Sequence, residues 1–494
     1  FVVTNQRSDD GDTDRFNLWY SDTQLFRADC TTPNPPVQGD SNRCPTSASW
    51  TNYQTGAHWD AGDLEFDTAV SVDACPMIYS TDGGVHTNTV GGSGCHAPTW
   101  QRSNVGLHAL WAWAMDGADQ AGDTGEDLLF GTQDNGTFAA TNGGASPPTW
   151  TNPRCCDTFD TLADPAWQLG TTCCFGSGRF NRLELAGPGY TGASEINQYP
   201  TGTIPGFTFA SRLAQFDADS VALITSTGLN VTTDIKSGSI VWTSLGQPAG
   251  SNPCGVWAAD DGGTPVFYLQ SGQCTGAGND QVWLYTGTAA GGTWTRIDNN
   301  DGLSGGLGIF AADPNDSDRL YASNLDPVTG PQMVFSTNGG TTWDNDPELD
   351  DLMIGYGDFL YQNQRGPKTF RGGAGASFTG YPQPSMLAYD PADGDTIVAG
   401  GVDSGIFYTA DGGQNWARLN DPDNGAVHLP RPRHAYFDHE PAGTVNVYIA
   451  TQGRGMWRVT LAVPIADANG PYITNEGTSV ALDGSGSTDP SGAA

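Results

Sequence analysis

The sequence predicts an all-β protein built from short strands and tight turns. Its 494 residues include 67 Gly and 31 Pro, and both residue types interrupt regular elements and form turns. A short hairpin sequence also recurs along the chain, and strand-forming segments precede its best copies. A chain of this length can bury a substantial core. These three observations favour one large domain of repeated sheets.

The recurring hairpin is a box centred on Asp or Asn followed by two glycines. Its two best copies are residues 336–343 (Ser-Thr-Asn-Gly-Gly-Thr-Thr-Trp) and 409–416 (Thr-Ala-Asp-Gly-Gly-Gln-Asn-Trp). The Asp or Asn oxygen accepts backbone N–H bonds across the turn, the glycines allow positive φ, and the Trp fills the gap between sheets. The box residues are therefore predicted to be structural: Ser80, Asp82, Gly84, Asn142, Gly144, Ser336, Asn338, Gly340, Trp343, Thr409, Asp411, Gly413 and Trp416.

A strand, a turn and a second strand precede each of the two best boxes. Residues 312–322 (Ala-Asp-Pro-Asn-Asp-Ser-Asp-Arg-Leu-Tyr-Ala) match residues 389–399, and residues 333–335 and 405–408 then run into the boxes. Strand, turn, strand, box and strand are the content of one four-stranded blade of a β-propeller. We expect a single propeller of seven blades over residues 1–462, with eight blades as the alternative.

These boxes and lead-ins resemble those of the Asp-box (BNR) propellers, which include sialidases, xyloglucanase-like glycosidases and sortilin-type receptors. Residues 131–137 (Gly-Thr-Gln-Asp-Asn-Gly-Thr) and 448–458 are similar to turns of bacterial members described as sortilin-like or exo-sialidase-like. The resemblance covers about residues 1–462 and implies the propeller fold. Because the family spans enzymes, receptors and assembly factors, it leaves the activity open.

The last segment of the chain has a different character. Residues 468–494 resemble the opening of a PKD domain, an immunoglobulin-like β-sandwich spacer of secreted and surface proteins. The predicted domains are therefore a propeller over 1–462, a linker over 463–467 and the N-terminal part of a PKD-like domain over 468–494. We expect the natural polypeptide to continue beyond this segment.

Charge and hydropathy narrow the range of partners. The chain has 55 acidic and 20 basic residues other than His, which gives a formal net charge of −35 at pH 7. Phosphate backbones attract basic surfaces, so we expect no nucleic-acid partner. No stretch approaches the run of about 18 to 20 apolar residues that a membrane span requires, so we expect no membrane insertion.

Cysteine usage favours an oxidising compartment. An even count in Gly-rich surroundings, without the C-x-x-C spacing of zinc sites, predicts five disulfides and a secreted, extracellular or cell-surface location. All ten can pair within or between neighbouring clusters, and the partners of the vicinal cysteines stay open. The clusters are Cys30 with Cys44, Cys75 with Cys95, Cys155 and Cys156, Cys173 and Cys174, and Cys254 with Cys274.

One acidic run has the spacing of a calcium loop. Asp9, Asp10, Asp12 and Asp14 offer hard oxygen ligands within one turn. The run lacks the terminal glutamate of an EF-hand, and a solvated turn is the alternative. Calcium is the one cofactor that the sequence suggests.

Catalytic residues are harder to find. Sialidases use three arginines and an Arg-Ile-Pro signature, and this signature is missing near the N-terminus of the chain. Xyloglucanase-like enzymes place paired carboxylates between two propellers, whereas this chain has room for one propeller. A single-propeller glycosidase needs two carboxylates, one of them an acid. The candidates for this acid/base pair are Asp134 or Asp157 with Glu184 or Glu195, and structural roles are the alternative.

A basic cluster stands out in so acidic a chain. Arg431, Arg433 and His434, with His439 nearby, form a candidate ligand site for an anion, and salt bridges between blades are the alternative. The missing catalytic signatures favour a non-catalytic propeller that binds a glycan or an extracellular protein. The alternatives are a glycoside hydrolase acting on extracellular polysaccharide and a self-associating subunit of an extracellular assembly.

Overall fold

The structure is a computed structural model. It describes residues 5–7, 15–21, 25–31, 50–53, 56–57, 61–66, 77–81, 84–88, 99–103, 110–118, 127–133, 135–141, 148–154, 157–165, 167–173, 179–185, 190–196, 198–205, 208, 210–272, 274, 280–287, 291–300, 303, 306–326, 330–356, 369–371, 377–379, 384–402, 404–419, 429, 431–440 and 444–462. The chain divides into two compact units, Phe1–Leu110 and Trp111–Ala494.

The first unit contains two four-stranded antiparallel sheets. Their strands are β1 (Asn5–Arg7), β2 (Arg15–Ser21), β3 (Leu25–Thr31), β4 (Thr51–Asn52), β5 (Ala61–Phe66), β6 (Met77–Thr81), β7 (Gly84–Asn88) and β8 (Trp100–Arg102). Leu25, Leu64, Met77, Tyr79 and Trp100 form its buried core. The Trp100 indole also donates a 2.8 Å hydrogen bond to the Tyr53 carbonyl, which ties the start of β8 to the segment after β4.

The second unit begins with three four-stranded antiparallel sheets whose strands follow one another in chain order. They are β9 (Ala112–Gly117), β10 (Leu128–Thr132), β11 (Gly136–Ala140) and β12 (Thr151–Arg154); β13 (Asp157–Asp164), β14 (Trp167–Cys173), β15 (Arg179–Leu185) and β16 (Tyr190–Glu195); and β17 (Leu213–Asp217), β18 (Ser220–Thr225), β19 (Gly228–Thr232) and β20 (Thr243–Gly246).

The same arrangement continues to the end of the described chain. The next sheets are β21 (Pro253–Asp260), β22 (Pro265–Ser271), β23 (Gln281–Thr286) and β24 (Thr293–Arg296), then β25 (Leu307–Asp313), β26 (Asp316–Asp326), β27 (Gly330–Ser336) and β28 (Asp344–Asn345). Helix α1 (Pro347–Tyr356) and the hairpin β29 (Thr369–Arg371) and β30 (Ser377–Thr379) follow. The last sheets are β31 (Pro384–Asp390), β32 (Asp393–Gly401), β33 (Gly405–Thr409) and β34 (Ala417–Arg418), and the three-stranded β35 (Pro432–His439), β36 (Thr444–Thr451) and β37 (Gly455–Ala462).

The sheets of the second unit close into a ring. Their first strands, β9, β13, β17, β21, β25, β31 and β35, contact one another in that order, and β35 also contacts β9. Inner strands are more buried than outer ones, since β18 and β25 are buried throughout, whereas exposed residues alternate with half-buried ones along the fourth strand β24. Antiparallel four-stranded sheets arranged radially in this way are β-propeller blades. The predicted all-β propeller is confirmed, and this ring lies within residues 111–462.

The first of the two best boxes is a tight hairpin held by side-chain oxygens. Ser336 Oγ accepts hydrogen bonds from the N–H groups of Asn338 and Gly340, at 3.3 and 2.9 Å. Gly340 has φ 79°, which explains why the position requires glycine. The Trp343 indole donates to the Ile297 carbonyl of the preceding sheet at 3.1 Å, so the box connects two blades.

The second box repeats this arrangement with one difference. Thr409 Oγ1 accepts the Gly413 N–H at 3.1 Å, and Asp411 Oδ1 accepts the Asn415 N–H at 2.9 Å. The Trp416 indole donates not to a carbonyl but to the Asp346 carboxylate, at 2.8 Å. Of the remaining predicted box residues, Ser80 and Gly84 lie in β6 and β7. Asp82, Asn142 and Gly144 lie outside the described residues.

One predicted disulfide is present and joins the start of β21 to the segment after β22. Cys254 and Cys274 are bonded, with their Cα atoms 5.9 Å apart, so this pairing is confirmed. Cys30 and Cys173 lie in β3 and β14, and their side chains are not described. The other six predicted partners lie outside the described residues: Cys44, Cys75, Cys95, Cys155, Cys156 and Cys174.

Helix α1 is a feature that the sequence did not predict. Asp346 caps it by accepting the Leu349 N–H at 2.9 Å, and Pro347 occupies its first position. Leu349 and Met353 are buried against the sheets that begin with β25 and β31. Asp350 accepts the Met333 N–H at 2.7 Å, and burial raises the pKa of this carboxyl to about 7.

The Ser336 hydroxyl is expected to stabilise its box measurably. Ser336→Ala removes the acceptor of two backbone N–H groups, so the free energy of unfolding should fall by about 1 to 2 kcal/mol in urea titrations. Thr341→Ala is the matched control, because this exposed side chain lies in the same loop and should change stability far less. Equal losses from the two variants would contradict the structural role of the Ser336 oxygen.

Asp350 is expected to make stability depend on pH. The pKa of Asp350 is higher in the folded chain than the usual 3.8. Its contribution to the free energy of unfolding is therefore complete below pH 3.8 and is lost as pH rises through about 7. Asp350→Asn keeps an acceptor for Met333 but does not titrate. The melting temperature of the wild type relative to this variant should therefore fall between pH 5 and 8. Asp351→Asn replaces an exposed neighbour, so its melting temperature should depend on pH as that of the wild type does. If Asp350→Asn and Asp351→Asn change this pH dependence equally, the assignment to Asp350 is refuted.

Candidate functional site

A cavity occupies the middle of the ring, and we refer to it as the channel. Its volume is about 290 Å³, at the lower end of the range of roughly 300 to 1,000 Å³ for small-molecule sites. Every first strand of the ring contributes to its wall, through residues that include Asp116, Leu162, Leu213, Val256, Ile309, Leu387 and Arg433. The channel is therefore the place where side chains from the first strands of the ring converge.

Arg433 brings a positive charge into this largely apolar wall. Its side chain is buried, with 6% of the residue exposed, and its guanidinium carbon lies 5.1 Å from the centre of the Trp113 ring. Trp113 in turn stacks on Trp111 at a centroid distance of 5.1 Å. A guanidinium over an indole is a favourable cation–π pair. Burial lowers the pKa of Arg433, and the nearby charge of Arg212 lowers it further.

His434 is the second polar residue that β35 contributes to the channel. The imidazole has a hydrogen bond with the Met115 backbone, which favours a ring N–H on that side. Its Nδ1 is buried and has no hydrogen-bond partner among the described residues. Burial lowers the pKa of His434 below its usual 6.5, although the Asp160 charge opposes this shift. The ring is therefore mostly neutral at pH 7.

Two aspartates, the half-buried Asp116 and the buried Asp160, link neighbouring first strands. Asp116 accepts the Ala163 N–H at 2.8 Å through one oxygen and the Gly117 N–H at 2.9 Å through the other. Asp160 accepts the N–H groups of Arg212 and Leu213 at the start of β17. Burial raises the pKa of both carboxyls, that of Asp116 to about 7. Both side chains thus connect one blade to the next.

Arg212 supports this arrangement from outside the channel wall. Its guanidinium donates to the Phe159 and Ala210 carbonyls at 3.0 and 3.1 Å. It also donates to the Pro205 and Thr208 carbonyls at 3.1 and 3.3 Å. The side chain therefore holds the segment before β17 against β13, and it supplies charge near Arg433 without lining the channel.

The predicted basic cluster divides into different roles. Arg433 and His434 line the channel, whereas Arg431 adopts φ 55° and bridges two hairpins through its backbone. Its N–H donates to Val402 O at 2.8 Å, and its carbonyl accepts the Gln452 N–H at 2.9 Å. His439 Nε2 lies 2.7 Å from Asp390 Oδ1 of the preceding sheet, and this contact between blades is a salt bridge when the imidazole is protonated.

Of the predicted carboxylate candidates, Asp157 and Glu195 have described side chains, and the structure does not bring these two together. Asp157 begins the first strand of its sheet, and Glu195 ends the fourth strand of the same sheet. Three strand spacings separate them by about 14 Å, more than the roughly 5 to 10 Å between the carboxyls of a glycosidase. Glu184 lies in β15 with its side chain not described, and Asp134 lies outside the described residues.

The predicted calcium ligands Asp9, Asp10, Asp12 and Asp14 also lie outside the described residues. Within the described part of the chain, no group of three or more His, Cys, Asp or Glu side chains is arranged to hold a metal ion. No helix in that part is long and apolar enough to cross a membrane.

Comparisons with known proteins identify the fold. No family model matches the chain, and no curated protein matches it significantly. Among solved structures, an ancestral GH74 enzyme is similar, with a TM-score of 0.51 and 15% identity over 91% of this chain and 64% of that one. This chain therefore spans less than two thirds of the enzyme's length. At this identity the similarity shows a β-propeller fold alone.

Other solved structures are more distant. YCF48 bound to D1 peptide has a TM-score of 0.42 and 14% identity over 72% of this chain and 94% of that one. The extracellular domain of BT4673 from B. thetaiotaomicron has a TM-score of 0.43 and 10% identity over 73% of this chain and 39% of that one. The protein is a β-propeller whose first strands surround the channel.

Arg212 is expected to be essential for a stable ring. Arg212→Met leaves four backbone carbonyls without their charged donor, so the free energy of unfolding should fall by about 3 kcal/mol or more in urea titrations. Arg458→Met, at an exposed position on β37, is the control and should change stability little. A loss below about 1 kcal/mol for Arg212→Met would show that the surrounding carbonyls find other donors.

Proposed function

We propose that this chain is a non-catalytic β-propeller of a secreted or cell-surface protein that binds a glycan or extracellular protein ligand at its channel. One observation supports binding over catalysis. Asp116 is the one carboxylate among the described residues that line the channel, and backbone N–H groups engage both of its oxygens. A glycosidase needs a carboxylic acid that can reach the leaving group and a second carboxylate nearby.

The composition of the channel wall also suits binding. Apolar walls with a few polar groups are typical of ligand sites. Arg433 and His434 are two of those polar groups, beside others such as Gln215 and Gln270, and both come from the start of β35. The rigid ring positions them, because Arg433 packs on Trp113 and His434 is bonded to the Met115 backbone. A ligand group entering the channel would meet these polar side chains amid aliphatic and aromatic ones.

Several features support an extracellular setting. The Cys254–Cys274 disulfide fits an oxidising compartment, as do the other predicted cysteine pairs. The domain boundaries at 462 and 468, the PKD-like segment, the Asp-box relationship and calcium binding by Asp9, Asp10, Asp12 and Asp14 stay predictions. A comparison of melting temperatures with and without a chelator would test the calcium site.

A glycoside hydrolase is the alternative, and Asp116 is the residue that favours it. A buried carboxyl whose pKa is raised to about 7 can act as a general acid at neutral pH. Asp160 lies close enough for its charge to raise this pKa further. An assembly subunit is a second alternative, because no strand among the described residues pairs with the outer edge of β37.

Array binding combined with a hydrolysis assay separates these functions. The full chain should capture a ligand from arrays of glycans and extracellular peptides, and Arg433→Gln should reduce that capture at least tenfold at unchanged fold. Hydrolysis of soluble polysaccharides should stay at background for the wild type. Release of reducing sugar that Asp116→Asn abolishes would refute the binding proposal and establish the hydrolase. Dimerisation without any captured ligand would favour the assembly subunit.

A further inference from the structure

We propose that the ring carries a second binding site, which takes the ammonium group of an alkylamine such as a lysine side chain. The site is a pocket of about 330 Å³ between the sheets that begin with β17 and β21, and we refer to it as the acidic pocket. It shares Gln215, Ala258 and Pro314 with the wall of the channel. Arg433 and His434 do not line it, so this site goes beyond the proposed function.

Two aspartates at the ends of neighbouring first strands give the pocket its negative charge. Asp217 ends β17 and Asp260 ends β21, and both residues are exposed. Asp217 Oδ1 accepts the Ala218 N–H at 2.6 Å. Asp260 Oδ1 accepts the Gly263 N–H at 2.8 Å. Neither Oδ2 atom has a hydrogen-bond partner among the described residues. Each aspartate is therefore held through one oxygen and has the other available to a ligand.

A buried serine hydroxyl is an independent sign of a ligand site. Ser220 begins β18 and lines the pocket, and only 2% of the residue is exposed. Its hydroxyl has no hydrogen-bond partner among the described residues. Buried polar groups are nearly always hydrogen-bonded, and each exception needs an explanation. A ligand group that enters the acidic pocket supplies the partner that this hydroxyl lacks.

The Gln215 amide adds an acceptor whose orientation is fixed. Its Nε2 donates to Asp164 Oδ2 at 3.0 Å and to the Asp217 carbonyl at 3.3 Å. Because carboxylates and carbonyls only accept, these bonds assign the amide nitrogen and occupy both of its N–H groups. The Oε1 atom has no partner within the described part of the chain. The pocket thus gains a third kind of oxygen acceptor.

The polar wall of the pocket therefore favours a ligand group that only donates. Its described side chains offer carboxylate, amide and hydroxyl oxygens, and no Lys, Arg or His is among them. An ammonium has three N–H donors and no acceptor, and two carboxylates attract its charge. A sugar hydroxyl also brings acceptor lone pairs, for which the hydroxyls of Ser220 and Thr233 would be the only side-chain donors in this wall.

The apolar part of the wall suits an alkyl chain. Phe216, Pro265 and Pro314 line the pocket beside the acids. A long side chain can pack its methylene groups on such a surface while its charged end reaches polar partners. A metal ion makes no use of this surface, and the described residues hold no group of three or more metal-ligating side chains. Lys236 does not fill the pocket, because Asp219 pairs with it at 2.5 Å outside the lining.

Calorimetric titration with a matched pair of small molecules tests the site. Nα-acetyllysine N-methylamide carries the ammonium, and Nα-acetylnorleucine N-methylamide has the same carbon chain without it. The full chain should bind the lysine derivative at least tenfold more tightly. Added sodium chloride should weaken this binding several-fold, because salt screens exposed charges. Equal binding of the two derivatives would overturn the proposal. Displacement of the lysine derivative by calcium chloride at constant ionic strength would also overturn it, in favour of a metal site.

Conservative variants identify the charges that bind. Asp217→Asn and Asp260→Asn each keep an oxygen for the turn N–H and lose the charge, so each should weaken binding at least fivefold in a folded chain. Asp393→Asn is the matched control, because this exposed carboxylate accepts the Asp395 N–H at 3.2 Å on another blade. Its affinity should stay within twofold of the wild type. Equal losses in all three variants would indicate net charge alone and refute the pocket.

Ser220→Ala distinguishes a ligand role from a structural one. The variant removes a buried hydroxyl without a partner among the described residues, so the melting temperature should stay the same or rise. Binding of the lysine derivative should nevertheless weaken at least twofold. A lower melting temperature with unchanged binding would show that the hydroxyl serves the fold, and it would overturn the proposal.

Two further measurements separate the sources of the amine and the two sites. A hexapeptide with one internal lysine should bind at least as tightly as the lysine derivative if a protein side chain is the natural ligand. Cadaverine should bind at least tenfold more tightly than the hexapeptide if the ligand is a free diamine. Arg433→Gln should lose the array ligand and keep its affinity for the lysine derivative. If no amine binds while arrays yield a ligand that Arg433→Gln loses, the acidic pocket is refuted and the proposed function stands.

Discussion

The structure depends on how the backbone groups at the inner edges of the first strands find hydrogen-bond partners. Each first strand pairs with one neighbour in its own sheet, so its other edge carries backbone groups that need partners away from water. Asp116 and Asp160 supply two of these partners by accepting N–H groups of the next first strand. Ring closure therefore determines where buried carboxylates lie, and the cost of burying them appears as their raised pKa values.

The first strands carry different charged residues at their two ends. The start of β35 carries Arg433 and His434, and Arg212 stands just before β17. The opposite ends of the first strands carry aspartates: Asp164, Asp217, Asp260, Asp313 and Asp390 are terminal residues, and Asp116 and Asp438 are next to last. Several of these aspartates cap turns or pair across blades, as Asp390 does with His439. In a chain with a net charge of −35, Arg212 and Arg433 thus lie near the starts of their first strands, whereas these aspartates lie at or near the opposite ends.

Much of the fold was predictable because its signals are local. A box such as residues 336–343 contains its own donors, acceptors and glycines, so the hairpin can be recognised within one segment. The Cys254–Cys274 pair spans only 20 residues. Helix α1 was missed because its sequence, Pro-Glu-Leu-Asp-Asp-Leu-Met-Ile-Gly-Tyr, has a weak apolar period and ends in Gly and Tyr.

The channel was less predictable because its partners are distant in sequence. Asp116 and Ala163 are 47 residues apart, and the Asp160 oxygen meets Leu213 53 residues later. Only the ring brings these segments together. A usable signal was nevertheless present, since an aspartate ends or nearly ends each apolar first strand. Sequence inspection favoured Arg433 and His434 for being basic in an acidic chain, but it could not foresee their contacts with Trp113 and Met115.

Ring closure also explains why binding suits this channel better than hydrolysis. The carboxylates nearest the channel serve as acceptors for backbone N–H groups, and moving one toward a substrate would leave those groups unpaired in a buried region. Arg433 stands apart from these acids, because its guanidinium packs on the Trp113 ring and lines the channel. The acids of the first strands are thus committed to ring closure, whereas this cation is not a partner of the strand edges that they join.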